Sequence, residues 1–498
     1  MNKINLKKNT YTHNCKPICL VVLLLLAFTA TTSAGEINLS NKITSLLAGA
    51  FGPNAIASID IRELESGKQI CSFNNSITLV PASVQKCITT ICALKTLGPE
   101  KCFTTKIYSS AKVSKGIVKG NLIIRGAGDP SLGCNYFSKE HSIDNIISKW
   151  VSDTKKANIK EIYGNIIGDG TLFNDQSLSK YAIWEDVGNY YGAITSGLTF
   201  TGNMYYLELS SSKIPGGHVR ILGTTPPLTS ITSWDNRLKA GAKGSGDNAY
   251  IFGTPWSPIR LLTGTIPPGR KSFKIKGSLP NPAYTCAAIL RNELLKQGIK
   301  VRGNAIGKKR GLSTKCTVLL SSHTSPPLKK LVHRANKKSD NVFAEQLFLL
   351  TAKKELNSTK WKDGVKSIES ILKNEQISFN GVHLKDGSGL SRYNGLTTKF
   401  LGDCLVFAAK QRWGKHFINS LPISGTDGSL KNHFNTKLLK GRINAKTGTM
   451  ERVQSLAGYI KCKSGKIKTI SFIVNNHNLS YTAIMKVIQK IILMVENK

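Results

Sequence analysis

Three short groups of residues could carry chemistry in this chain: Ser83 with Lys86 in PASVQKCITT, then Ser339-Asp340-Asn341, then Lys446-Thr447-Gly448. A serine hydroxyl is a poor nucleophile at neutral pH and needs a partner to take its proton. Lys86, three residues on, projects from the same helical face and can reach Ser83 Oγ. It accepts a proton only as the free amine, and burial beside another cation such as Lys446 would hold its pKa down. Ser339 can bridge Lys86 to a leaving nitrogen as a proton shuttle, while Asn341 can orient Lys86 and bond a substrate amide. Lys446 and Thr447 offer a cation and a hydroxyl to a terminal carboxylate. Gly448 lets its strand come close to a bound peptide, whose backbone can pair with the strand edge. The backbone N–H groups of Ser83 and Thr449 would hold an acyl oxyanion, the first of them at a helix N-terminus. The implied reaction is acyl transfer through an ester on Ser83.

Each group alone is weak. A Ser/Lys pair at this spacing is most often a solvated helix face, Ser-Asp-Asn a cap or turn, and Lys-Thr-Gly an ordinary approach to a turn. Their order and surroundings argue for a site. Ala55 to Asp60 and Gln69 to Phe73 read as a hairpin around Glu65-Ser66-Gly67. The hairpin leads into a helix entered at Pro81, with a buried stripe of Val84, Cys87, Ile88, Ile91 and Leu94, stopped by Gly98-Pro99. From about Phe103 to about residue 310 the chain turns to short β-rich segments with one clear helix, Ala283 to Gln297, and reads as an insertion. Within it Gly120-Asn121-Leu122-Ile123-Ile124 and Gly164-Asn165-Ile166-Ile167-Gly168 look alike. Helical patterns resume at Pro327 and flank the Ser339 group, which therefore reads as a helix-to-helix loop. Ile443 to Ile460 and Lys468 to Val474 read as adjacent strands, the first carrying Lys446. The last helix, from Ala483 to Val495, has a regular apolar face suited to packing on that hairpin or to lying on a membrane surface.

The chain's 498 residues are too many for one ordinary core. Lys3, Lys7, Lys8 and Lys16 precede an apolar run from Ile18 to Phe28 and then Thr32-Ser33-Ala34, so residues 1–34 read as a secretory signal. The formal charge of +40 would suggest nucleic acid, but the lysines are dispersed and export separates the chain from cytoplasmic nucleic acid. Such a charge would instead draw the protein peripherally to anionic membrane or cell-wall polymers. Nine of the eleven cysteines follow the signal, and Cys87 and Cys92 read as small core residues rather than a bridge. Neither a CxxC pair nor an HExxH motif occurs, so no metal or other cofactor is expected.

The three groups, together with GAGDPSL (126–132), DGSGLSR (386–392), LPISGTDGSL (421–430) and Leu456-Ala457-Gly458-Tyr459, resemble the class C low-molecular-mass penicillin-binding proteins. These form the D-alanyl-D-alanine carboxypeptidase/endopeptidase family. The 256 residues between Ser83 and Ser339 suit that family's interrupted catalytic domain. The resemblance implies an α+β fold, a β-lactamase-like domain with an antiparallel sheet flanked by helices and two nested β-rich inserts. Residues 35–103 and 311–498 would be catalytic, 104–132 and 203–310 insert II, and 133–202 insert III nested within it. It also implies a periplasmic serine peptidase that remodels peptidoglycan stem peptides and takes β-lactams as covalent inhibitors. Asp186, Tyr191 and Arg392 map onto the family's contacts to the stem's diamino acid, an Asp for an ammonium and an Arg for a carboxylate. Where family members often carry Gln, this chain has Glu451, whose charge would repel that carboxylate. The alternatives are a β-lactamase, for which no ExxLN base is found (Glu375 is nearest), and a non-catalytic wall-binding scaffold.

Overall fold

The computed structural model describes residues 39–173, 176–311 and 315–496. The expected signal, 1–34, lies outside them. Five antiparallel strands form the central sheet, in the order Ile443–Met450, Val453–Lys461, Ile467–Asn475, Ile56–Glu63, Gln69–Phe73. The middle three alternate apolar side chains to both faces, so both must be covered. On one face Leu39, Ile43 and Leu47, from the helix through 39–51, pack with Ile484, Ile488, Ile491 and Ile492 of the helix Tyr481–Glu496. The apolar stripe of that last helix is thus buried on the sheet. Against the other face lies a helical layer whose centre is the nucleophile helix, Gln85–Leu97. Its residues from Gln85 through Leu94 are all buried, which makes it a core helix rather than an amphipathic one.

The strand expected over 443–460 is a hairpin of two, broken at Glu451-Arg452, where Arg452 takes φ 60. The turn was hidden because Glu451-Arg452 carries no Gly, Pro, Asn or Asp to mark it.

The insertion also departs from the expected boundaries. Strand Val318–Thr324 pairs with Thr104–Ser109, ending on Thr104↔Thr324, so the insertion closes at Thr324 rather than near 310. Its inner sheet holds three parallel neighbours, Leu122–Arg125, Ile166–Asp169 and Ala305–Lys308. Each is preceded by Gly-Asn. The two sequence copies have a third, Gly303-Asn304, and the side chains interlock: Asn121 Oδ1 accepts from Asn165 N (2.8 Å) and Asn165 Oδ1 from Asn304 N (2.8 Å). Residues 133–202 therefore share their strands with segments near 120 and 305 and do not form the nested unit. That unit is 204–278, with its own apolar cluster of Tyr205, Leu207, Leu262 and Ile275, and its end strands meet at Met204↔Ser278. A second helix, Ile143–Lys156, joins Pro282–Lys296 over the parallel strands. Ser142 caps it, and Ile146, Ile147, Trp150 and Val151 form its buried stripe.

Candidate active site

The nucleophile sits where a tight turn becomes a helix. Ala82–Val84 is a 3-10 turn running directly into Gln85–Leu97, with Ala82 at φ 50. This places Ser83 at the cleft and Lys86 wholly inside. Lys86 Nζ donates to Ser83 Oγ (2.9 Å), Asn341 Oδ1 (2.6 Å) and the Ser388 carbonyl (2.7 Å). Burial brings the ammonium down to about 8, against the pull of the Glu345 and Asp386 carboxylates. Near neutral pH a useful fraction of Lys86 is the free amine.

The second group lies between helices Leu328–Lys337 and Asn341–Leu356. Asp340 caps the second of these and pairs with Arg334 (3.1 Å), while Ser339 takes φ 54. That turn aims Ser339 at Lys446, whose Nζ donates to Ser339 Oγ (2.9 Å) and to the Thr447 carbonyl (2.6 Å). The hydroxyl expected beside Lys86 is therefore held by the other lysine. Asn341 has its oxygen on Lys86 as expected, but its amide nitrogen donates to the Tyr191 carbonyl (2.7 Å) instead of standing open to substrate. Burial, then the charge of Lys86, brings Lys446 down to about 7.

Lys446, Thr447 and Gly448 lie on the edge strand of the central sheet. A Cβ on Gly448 would stand 2.8 Å from Ser83 N and 2.3 Å from Ser455 Oγ, so only glycine lets this strand touch the nucleophile turn. Ser455 Oγ donates to the Pro81 carbonyl (2.6 Å) and ties the next strand to the same turn. Thr447 Oγ1 donates to Ser429 Oγ (2.6 Å), within the 421–430 segment, where Asp427 also receives Lys337 Nζ (2.8 Å).

Ser83, Ser339, Asn341, Thr449, Asp186, Tyr191 and Arg392 line one cleft of about 1070 Å³, together with Glu451. Asp186 stands on a short helical turn, Trp184–Val187, and Tyr191 on the next, Tyr190–Gly192. Burial and the neighbouring Glu185 push Asp186 up to about 6, while Arg392 pulls the other way.

Sequence reasoning passed over the support beneath Lys86. Glu345 accepts from the backbone N–H groups of Gly387 (2.8 Å) and Ser388 (2.9 Å), and Asp386 from those of Gly389 (2.8 Å) and Ser391 (2.6 Å). The two carboxylates set the loop whose Ser388 carbonyl grips Lys86. Gly389, at φ +79, permits the loop's contact with Ala82. The available signal was a lone acid, Glu345, inside the apolar run Val342 to Leu350. Among the described residues no cluster of acids, histidines and cysteines could hold a metal.

The D-Ala-D-Ala carboxypeptidase 3 (S13) family matches residues 39–497, nearly the whole described chain and all three groups. The chain belongs to that family. It is accordingly a serine hydrolase of the D-Ala-D-Ala carboxypeptidase class with a penicillin-binding-protein fold. It is 28% identical to a D-alanyl-D-alanine carboxypeptidase of Haemophilus influenzae over 91% of each chain. It is also 25% identical to a D-alanyl-D-alanine carboxypeptidase of Actinomadura sp., over 88% of this chain and 81% of that one. The crystal structure of penicillin binding protein 4 from H. influenzae superposes with TM-score 0.78 at 24% identity, covering 91% of this chain and 99% of that one. A second crystal structure of that protein, complexed with a β-lactam, superposes with TM-score 0.75.

Proposed function

We propose that this enzyme cleaves the D-Ala-D-Ala end, or the D,D-cross-link, of peptidoglycan stem peptides through an ester on Ser83. The observation that carries it is a half-buried serine 2.9 Å from a buried lysine whose pKa has fallen to about 8. Lys86 takes the Ser83 proton as Oγ attacks the carbonyl of the penultimate D-Ala. The N–H groups of Ser83 and Thr449 hold the oxyanion, and the edge of the Lys446 strand past Ala445, beyond its pairing with residues 422–424, accepts the substrate backbone as an added strand. Collapse breaks the C–N bond. The leaving nitrogen takes a proton from Ser339, which regains one from Lys446; water then hydrolyses the ester. Lys446 and Thr447 receive the terminal carboxylate of the leaving residue, with Gly448 giving the peptide room. Asp186, Tyr191 and Arg392 receive the diamino acid side chain. A leaving amine from a second stem gives endopeptidase rather than carboxypeptidase activity, with the same chemistry.

A β-lactam would acylate the same serine. The β-lactamase reading is disfavoured by where the carboxylates lie. Glu375 is engaged by Lys95 (2.5 Å), and Glu345 is committed to two backbone N–H groups behind Lys86, so neither activates water for rapid deacylation. The scaffold reading is disfavoured because the nucleophile and both lysines are intact, with Lys86 bonded to Ser83 and Lys446 to Ser339. Export to the periplasm fits the basic and apolar N-terminus, and no helix among the described residues is long and apolar enough to cross a membrane. The test is labelling of the mature enzyme with a fluorescent penicillin beside Ser83→Ala, followed by a chase. A stable adduct absent from the variant is expected; rapid release would favour a β-lactamase, and no labelling of folded wild type the scaffold.

A further inference from the structure

The nested unit, residues 204–278, supplies no group to the proposed acyl transfer, yet it forms a wall of the cleft. Met204, Tyr206, Tyr250, Phe252 and Lys276 all face the cavity that contains Ser83. Beside them Tyr190, on the turn Tyr190–Gly192, faces the same cavity, and Trp184, on the turn Trp184–Val187, packs against Phe252 at its margin. Four of these aromatic side chains are open to solvent: Trp184 is 55% exposed, Tyr250 47%, Tyr190 45% and Tyr206 37%. Large rings are normally withdrawn from water, and a cluster of them left open beside a reactive centre marks a binding surface. Their arrangement is ordered. Phe252 lies between Trp184 (5.9 Å between centroids, 28° between planes) and Tyr250 (6.3 Å, 27°), so three rings run in nearly parallel succession. Lys276 Nζ sits 5.0 Å from the Tyr190 ring centre and 5.8 Å from that of Tyr206, a cation in the same cleft wall. A second groove of about 380 Å³ continues past Tyr190 and Tyr250, and Asp247, Asn248 and Lys274 line it.

A row of stacked rings whose two end members, Trp184 and Tyr250, are exposed, flanked by hydrogen-bonding side chains, suits a ligand with a flat apolar face and a polar rim. A pyranose is such a ligand: its axial C–H groups stack on the ring faces while its hydroxyl and acetamido groups meet lysine, aspartate and asparagine. A stem peptide in peptidoglycan is carried by amino sugars. We propose that the nested unit is a saccharide subsite, taking the glycan to which the stem is attached, so that the enzyme prefers sugar-linked stems to free peptides. This rests on the proposed function for its substrate. The Trp184–Phe252–Tyr250 row provides the stacking surface and Lys276 donates to the sugar's oxygens.

The experiment compares kcat/KM for a disaccharide-linked pentapeptide and the same pentapeptide without sugar, in wild type and in Trp184→Ala/Tyr250→Ala. Wild type should favour the sugar-linked substrate by about tenfold, the equivalent of one good ring contact. The variant should lose that preference while keeping its turnover of free peptide and its rate of penicillin acylation. Equal turnover of both substrates by wild type, or equal loss on both in the variant, overturns the proposal. Glycan strands stripped of stems give a readout that needs no catalysis. They should quench tryptophan fluorescence in wild type and in Ser83→Ala, and their failure to bind wild type overturns the proposal too. Stripped strands that bind an enzyme hydrolysing neither peptide would instead sink the peptidase reading and leave the subsite standing.

Discussion

At the scale of single residues, two lysines share one desolvated pocket and answer to different neighbours. Lys86 must lose its proton to act as a base, so acylation by penicillin should rise with pH through about 8. Glu345 is among the charges that keep Lys86 protonated, and because burial and the Asp386 carboxylate push its own pKa up to about 8 it exerts that pull over the range in which Lys86 titrates. In Glu345→Gln the rising limb should therefore move to lower pH, and the plateau should fall because one of the two N–H bonds that seat the Ser388 carbonyl is lost. A purely structural defect would lower the plateau without moving the limb; stopped-flow acylation across pH separates the two. Asp186 gives a dependence of the same sign at lower pH. Its carboxyl ionises only above about 6, so recognition of an ammonium on the stem should be lost as pH falls through that value. kcat/KM for a diamino-acid stem, measured against pH beside Asp186→Asn, checks this; the variant should be flat near pH 6 where wild type falls.

At the scale of elements, the site is a matter of backbones held closer than side chains allow. Gly448→Ala would drive a methyl to 2.8 Å from Ser83 N and should separate the edge strand from the nucleophile turn. A displacement near 1 Å can cost about 100-fold in rate. Acylation should fall by that order while thermal unfolding still shows a folded enzyme, and an acylation rate within a few-fold of wild type would count against the close-approach argument. The same scale shows what the sequence disclosed. The nucleophile helix, the helix-to-helix loop and the Lys446 strand were legible because each has a period or a stop signal within about ten residues, such as Gly98-Pro99. The pairing of Ser339 with Lys446 was not, since it depends on a left-handed turn at Ser339 that no local pattern announces. The true nested unit was equally hidden. Its boundary is set by which distant strands pair, and little in residues 161–169 says that they join 117–125 and 300–308. The Gly-Asn copies were the one available hint, and the third copy lies far down the chain at 303.

At the scale of the whole molecule, charge and topology act independently of the chemistry. Without the four lysines of residues 1–34 a formal charge of +36 remains, which should hold the enzyme on anionic wall polymer or lipid surface. The screening length shrinks from about 30 Å at 0.01 M salt to about 8 Å at 0.15 M. Co-sedimentation with purified sacculi or anionic vesicles should accordingly weaken across that range, and salt-independent retention would assign the attachment to apolar contacts instead. The topology has a further result. The outer insertion leaves and returns at paired residues, Thr104 and Thr324, and the inner one does so at Met204 and Ser278. Each is spliced in at a doorway one hydrogen-bonded step wide. A lineage could thus exchange the inner unit wholesale for another of any length, trading the polymer it grips while leaving the reactive serine's surroundings inherited intact.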